Sequence, residues 1–119
     1  MTRQELIDRC LTLPFAYEDY PFAASERNSD MAVMRHKVNK KSFAFIAERK
    51  GKLFVNLKCD PFESDFLRQA FEGVLPGWHM NKTHWNTVII GSDVPEDELF
   101  RQIQASYDLI KPKARRKVT

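Results

Sequence analysis

The stretch Trp78-His79-Met80-Asn81-Lys82-Thr83-His84-Trp85 gathers two imidazoles, two indoles, an ammonium group and a thioether, the densest cluster of chemically capable side chains in the chain. If Asn81 and Lys82 sit at the centre of a hairpin turn, His79 opposes His84 on one face and Trp78 opposes Trp85 on the other. Lysine disfavours positive φ, so a looser turn capped by the Asn81 side chain is an equal alternative. Two imidazoles do not hold a divalent metal without a third or fourth ligand. His36, Cys59 and Asp60 lie elsewhere at no recognised spacing, so no metal site is expected. Two readings of the cluster remain. In one, the indoles are core and the imidazoles bond the backbone; in the other, Glu18, His79, Lys82, His84 and Trp85 build a pocket for a small molecule or a protein segment.

Covalent chemistry finds little support. There is no glycine-rich phosphate loop and no nucleophile elbow, and neither Ser106 nor Cys59 has a base at a recognisable spacing. The expectation is a non-enzymatic protein with no catalytic residue and no cofactor. Cys10 and Cys59 read as reduced, buried thiols, because a domain of this apolar content needs no disulfide. The acidic group Asp93, Glu96, Asp97 and Glu98 suits the positive end of a helix dipole.

Charge is more informative when divided along the chain. The total of +3 conceals −3 over residues 1–34, +7 over 35–58, −6 over 59–110 and +5 over 111–119. Cationic side chains on strands and hairpin tips can track a phosphate backbone, and Phe43, Phe45 and Phe54 offer rings for stacking. The residues expected to contact nucleic acid are Arg35, Lys37, Lys40, Lys41, Lys50 and Lys52, with DNA bound without sequence specificity. No helix carries side chains suited to base readout. Residues 111–119 read as a basic, flexible tail.

These side chains must be positioned by a single domain over residues 1–110, since 119 residues at 43% hydrophobic content suffice for one core and not for two. Composition excludes disorder. No apolar run approaches membrane-spanning length, and Asp8 and Arg9 interrupt any secretory signal, so a cytoplasmic monomer is expected. Thr2-Arg3-Gln4-Glu5 is a capping box before Leu6, Ile7, Cys10 and Leu11, and the helix stops before Pro14. Phe15 to Asp30 is mixed, with a polar loop over 25–30. Three antiparallel strands follow at 31–38, 42–48 and 52–58. In the third, Leu53, Val55 and Leu57 form a core face, while Lys52, Phe54, Asn56 and Lys58 form a mostly polar one. Asp60-Pro61 starts a helix that Gly73 ends, two strands lie between Trp78 and Ile90, and a last helix runs from Pro95 to Ile110. The fold class is α+β, a two-layer antiparallel sheet packed against helices in the order α-β-β-β-α-β-β-α.

Several segments together resemble the MmcQ/YjbR family of small bacterial proteins: Pro21-Phe22, Lys41-Ser42-Phe43-Ala44, Leu57-Lys58-Cys59-Asp60-Pro61, Leu67-Arg68, Ser106-Tyr107 and above all Pro76-Gly77-Trp78-His79-Met80 through His84-Trp85. The resemblance spans nearly the whole chain. It implies the same element order and a double-wing arrangement to which DNA binding is assigned by fold analogy, with no established reaction. Phe15 and Ala23 depart from the pattern, standing where members often carry glycine.

Overall fold

Local signals build the helices. A computed structural model describes residues 1–113, and in it Thr2 Oγ1 accepts from the Glu5 N–H at 3.1 Å while Glu5 Oε1 accepts from the Thr2 N–H at 3.0 Å. This reciprocal box opens α1, Arg3–Leu11. Asp60 caps α2, Pro61–Ala70, by accepting from the Phe62 N–H, and Pro61 supplies the first-turn residue without an orphan donor. This helix ends at Ala70, ahead of the expected stop at Gly73. Pro95 precedes α3, Glu96–Ile110, the longest helix.

Six strands form one antiparallel sheet: β1 (Ala16–Asp19), β2 (Ala32–His36), β3 (Ser42–Arg49), β4 (Lys52–Lys58), β5 (Val74–Pro76) and β6 (Trp85–Ile89), in the spatial order β1-β2-β3-β4-β6-β5. The α+β class and the three-stranded meander are as the sequence predicts. The first strand is an addition. β1 is too short and too mixed to show alternation, and it forms because its backbone pairs with the edge of β2. Phe15, just before it, lies at φ 61, so the position departing from the family's glycine keeps the left-handed backbone that glycine favours. Lys50 and Gly51, both at positive φ, join β3 to β4 in a two-residue turn of the type I′ sort, whose twist matches that of the strands. The fifth strand is displaced from expectation. It lies before Gly77, not within the Trp78 to Trp85 stretch, and pairs Val74 with Val88, Leu75 with Thr87 and Pro76 with Asn86.

One face of the sheet carries the helices. Leu6, Ile7 and Cys10 of α1, and Leu99, Ile103, Tyr107 and Ile110 of α3, pack with Met34, Ile46, Val55 and Val88. Among the described residues, no helix is long and apolar enough to cross a membrane. The opposite face is not the solvated surface expected from β4. Phe54 and Asn56 are only 4% and 2% exposed, because two loops, residues 20–31 and 77–84, fold over them. Alternation in β4 records which side each residue faces, and both sides are covered.

Ser106 ties α3 to the sheet. Its hydroxyl donates to the Phe43 carbonyl at 2.6 Å and accepts from the Lys58 N–H at 2.9 Å, so one buried oxygen completes the pairing of two strands. Replacing it leaves two buried backbone groups unpartnered, and Ser106→Ala should lower unfolding free energy by about 1–3 kcal/mol in urea denaturation. At the other end of the sheet, Asp93 accepts from the N–H groups of Gly73 and Glu72 at 2.7 and 2.8 Å. The Gly73 bond foremost, with the Glu72 bond, holds the Asp93 carboxyl below its ordinary value. A depressed folded-state value gives stabilisation that is complete above the unfolded-state value and is lost as pH falls through the folded one. Asp93→Asn should therefore lower the melting temperature at pH 7, and the gap to the parent should close as the pH is taken below the carboxylate range.

Candidate functional site

The expected phosphate-contacting residues do not form one surface. Lys37, Lys40 and Lys41 occupy the turn between β2 and β3, whereas Lys50 and Lys52 flank the turn between β3 and β4. The eight residues of β3 separate these turns by about 25 Å. Arg35 is held internally, its Nε 2.9 Å from Asp19 Oδ2 and its Nη1 donating to the Lys40 carbonyl. Of the rings proposed for stacking, Phe43 and Phe54 are buried and Phe45 is half-buried.

Tertiary structure adds cations to the first turn that sequence order does not suggest. Asn39 Nδ2 donates to the Ile110 carbonyl at 2.7 Å, so the C-terminus of α3 is fastened to the β2–β3 turn. Lys111 and Lys113 leave the helix there, and Lys58 ends β4 at the same edge of the sheet. Asp108 is neutralised by Lys111 at 2.9 Å. His36 organises the turn from below. Buried between Phe15 and Tyr107, it accepts from the Val38 N–H through Nδ1 at 3.1 Å. A single histidine on a strand carries no spacing signal, so this role is not legible in the sequence. Of the expected tail, residues 114–119 lie outside the described residues.

The Trp78 to Trp85 stretch is the looser turn, not the hairpin. Asn81 Oδ1 accepts from the Thr83 N–H at 2.9 Å, and His79 does not face His84. Both imidazoles are exposed and neither makes the backbone bond expected of it among the described residues, and the two indoles are half-buried. The five-residue pocket does not assemble. Glu18 lies opposite Met34, on the helix side of the sheet, and accepts from the Tyr20 hydroxyl. Lys82 folds back to donate to the Gly77 carbonyl at 3.0 Å, and Trp85 packs edge-on against Phe45 at 5.5 Å. Arg68 of α2 fastens this segment through Asn86 Oδ1 at 2.7 Å and the carbonyls of Lys82 and Trp85.

What the loops do form is a cleft of about 210 Å³ over the outer face of the sheet. Phe45 and Phe54 make its floor, with Phe22 and Met31 on one side and Trp78 and Met80 on the other. Of the residues expected in a pocket, only His79 reaches it. Asn28, Arg49 and Asn56 complete the lining; Asn28 and Arg49 are not legible as site residues in the sequence because they come from an aperiodic loop and a strand end. Burial raises the thiols of Cys10 to about 12 and Cys59 to about 11, so neither is a thiolate at neutral pH. Among the described residues no group of three or more potential metal ligands comes together.

Residues 11–109 match the family model described as YjbR. The chain is 32% identical to the uncharacterised protein YyaQ of Bacillus subtilis, over 93% of its own length and 99% of that protein. It is 31% identical to the uncharacterised protein YjbR of Escherichia coli K12, over 90% and 85% respectively. A crystal structure of a Pseudomonas syringae protein superposes with a TM-score of 0.80 at 29% identity, covering 93% of this chain and all of that one. A Deinococcus radiodurans protein with a domain designated DUF419 gives 0.79 at 32% identity, covering 92% of this chain and 78% of that one.

The loop that bears Trp78 rests on a close approach at Gly77. A Cβ there would come within 2.8 Å of both the Cβ and the carbonyl oxygen of Trp85, and backbone cannot move aside as a side chain can. Gly77→Ala should destabilise the fold by about 1–3 kcal/mol and alter tryptophan emission in the native state, both read from one urea titration followed by fluorescence.

Proposed function

The chain belongs to the YjbR family, and from that premise we propose that it is a non-enzymatic, cytoplasmic, monomeric domain that binds the phosphate backbone of DNA without reading sequence. The contact surface is the β2–β3 end of the sheet: Lys37, Lys40 and Lys41, joined by Lys58 and Lys113, with Lys111 paired to Asp108 beside them. One observation carries this reading, the Asn39 to Ile110 hydrogen bond that fastens the basic C-terminal segment beside the basic turn. Cations from three separate elements thereby share one edge, and a local concentration of charge is what condensed counterions respond to. Lys50 and Lys52 lie at the far end and take no part.

About five phosphate contacts give a slope of log K against log salt near −4.5. Binding to generic duplex DNA, measured by fluorescence anisotropy across a salt series, tests this. The pair Lys40→Glu and Lys41→Glu should flatten the slope by about 2, while Lys50→Glu with Lys52→Glu should leave it unchanged. Equal effects from the two pairs, or loss of binding only when residues 114–119 are removed, would refute the assignment to this edge.

A further inference from the structure

We propose that the outer-face cleft is a binding site for a small planar aromatic carboxylate, a site separate from the basic edge of the sheet. Its size limits the ligand. About 210 Å³ is below the 300–1,000 Å³ usual for drug-sized molecules, which leaves room for a single ring system. Its walls select a ring. Phe45 and Phe54 lie beneath, Trp78 stands edge-on to Phe54 at 5.0 Å, and Phe22 is 40% exposed at the mouth, a large apolar surface open to water beside a cleft of matching chemistry.

The polar groups present N–H donors, and so select a strong hydrogen-bond acceptor. Arg49 and His79 are the ionisable residues of the lining among the described residues, and the carboxylate beside Arg49, Asp30, is bound to it and does not line the cleft. Asp30 pairs with Arg49 Nη1 at 3.1 Å, the Glu48 carbonyl accepts from the same nitrogen at 2.6 Å and Asn28 Oδ1 accepts from Nη2 at 2.8 Å, so the guanidinium is oriented before a ligand arrives and keeps its Nε–H and one Nη2–H without a partner among the described residues. With its oxygen taken by Arg49, Asn28 has its amide N–H groups left to offer, and no acceptor for them is found among the described residues. His79 adds an exposed imidazole with no hydrogen bond among the described residues, carried on a backbone at φ 60. Asn56 is not available: its amide bonds the Trp78 carbonyl and its oxygen accepts from Thr87. Donors thus predominate over free acceptors, and a carboxylate on an aromatic ring answers both features with charge-assisted hydrogen bonds.

Amide NMR titrations with benzoate, indole-3-carboxylate, benzyl alcohol and cyclohexanecarboxylate separate the contributions of ring and charge. The two aromatic acids should shift amides of residues 28–31, 45–54 and 78–80 with millimolar saturation, and the alcohol and the saturated acid should bind at least about tenfold more weakly. Phe22→Ala, at an exposed position, should weaken aromatic-acid binding about three- to tenfold without altering the melting temperature. His79→Gly, which also relieves the left-handed backbone, should weaken it without loss of stability. The proposal fails if the saturated acid or the alcohol matches benzoate, if shifts centre on Lys37 to Lys41, or if no probe saturates at tens of millimolar.

Discussion

Asn56 on β4 and Thr87 on β6 are direct cross-strand neighbours, and the buried hydrogen bonds they make with Trp78 hold the outer side of the sheet together. The Thr87 hydroxyl donates to Asn56 Oδ1 at 2.6 Å and accepts from the Trp78 N–H at 2.8 Å, while Asn56 Nδ2 donates to the Trp78 carbonyl at 3.1 Å. Both backbone groups of Trp78 are satisfied by side chains of the sheet beneath it. Buried amide and hydroxyl groups in an otherwise apolar layer are tolerable only when paired in this way. The indole is consequently held edge-on over Phe54, and the far wall of the cleft follows from its position.

The same device recurs on the 20–31 loop and again at the far end of the loop that bears Trp78. Arg49 reaches from the end of β3 to Asp30 and Asn28, and Arg68 reaches from α2 to Asn86 and to carbonyls of the 82–85 segment. In each case a planar donor from a regular element satisfies acceptors that an irregular segment cannot satisfy internally. Helices cover only one side of the sheet, so the other side is closed by loops whose positions depend on these side chains. A surface built that way has gaps between its loops, whereas ridged helix packing leaves few. The cleft is one such gap, with aromatic residues where a solvated face was expected.

How much of this is legible in the sequence depends on the range of the interaction that decides each feature. The capping box at Thr2 and the Asp60-Pro61 start are local, so α1 and α2 can be read directly, as can the 3.6-residue stripe of α3 from Leu99 to Ile110. β1 and β5 cannot, because strands of four and three residues carry almost no alternation and exist through their neighbours. The Trp78 to Trp85 stretch is rich enough in side chains to suggest a site, but the partners that settle its course, Asn56, Thr87 and Arg68, are distant in sequence and unremarkable there. Only His79 of the expected pocket reaches the cleft; Phe22 and Asn28 are brought to it by loop closure, and Arg49 by its place at the end of β3.

Charge placement follows from the same distinction between sequence order and position in the fold. Residues 1–110 sum to −2, so attraction to a polyanion has to be local, within the roughly 8 Å over which physiological salt leaves charges coupled. Lys40 and Lys50 both lie in the left-handed region, at φ 60 and 52, where an L side chain other than asparagine or aspartate costs about 1–2 kcal/mol. Both hairpin tips therefore carry an ammonium group at a position where glycine or asparagine would strain the backbone less. The tips differ in what surrounds them. Near Lys50 the neighbouring guanidinium of Arg49 is paired with Asp30, whereas Lys40 stands beside Lys37 and Lys41 with the end of α3 fastened alongside. The α3 carbonyl to which Asn39 donates is also at the negative end of a helix dipole, so lysines gathered there are stabilised by the helix even before any ligand is present. That arrangement favours one tip as a preformed cationic edge and leaves the other as the rim of an aromatic cleft, two surfaces that a single count of basic residues along the meander cannot distinguish.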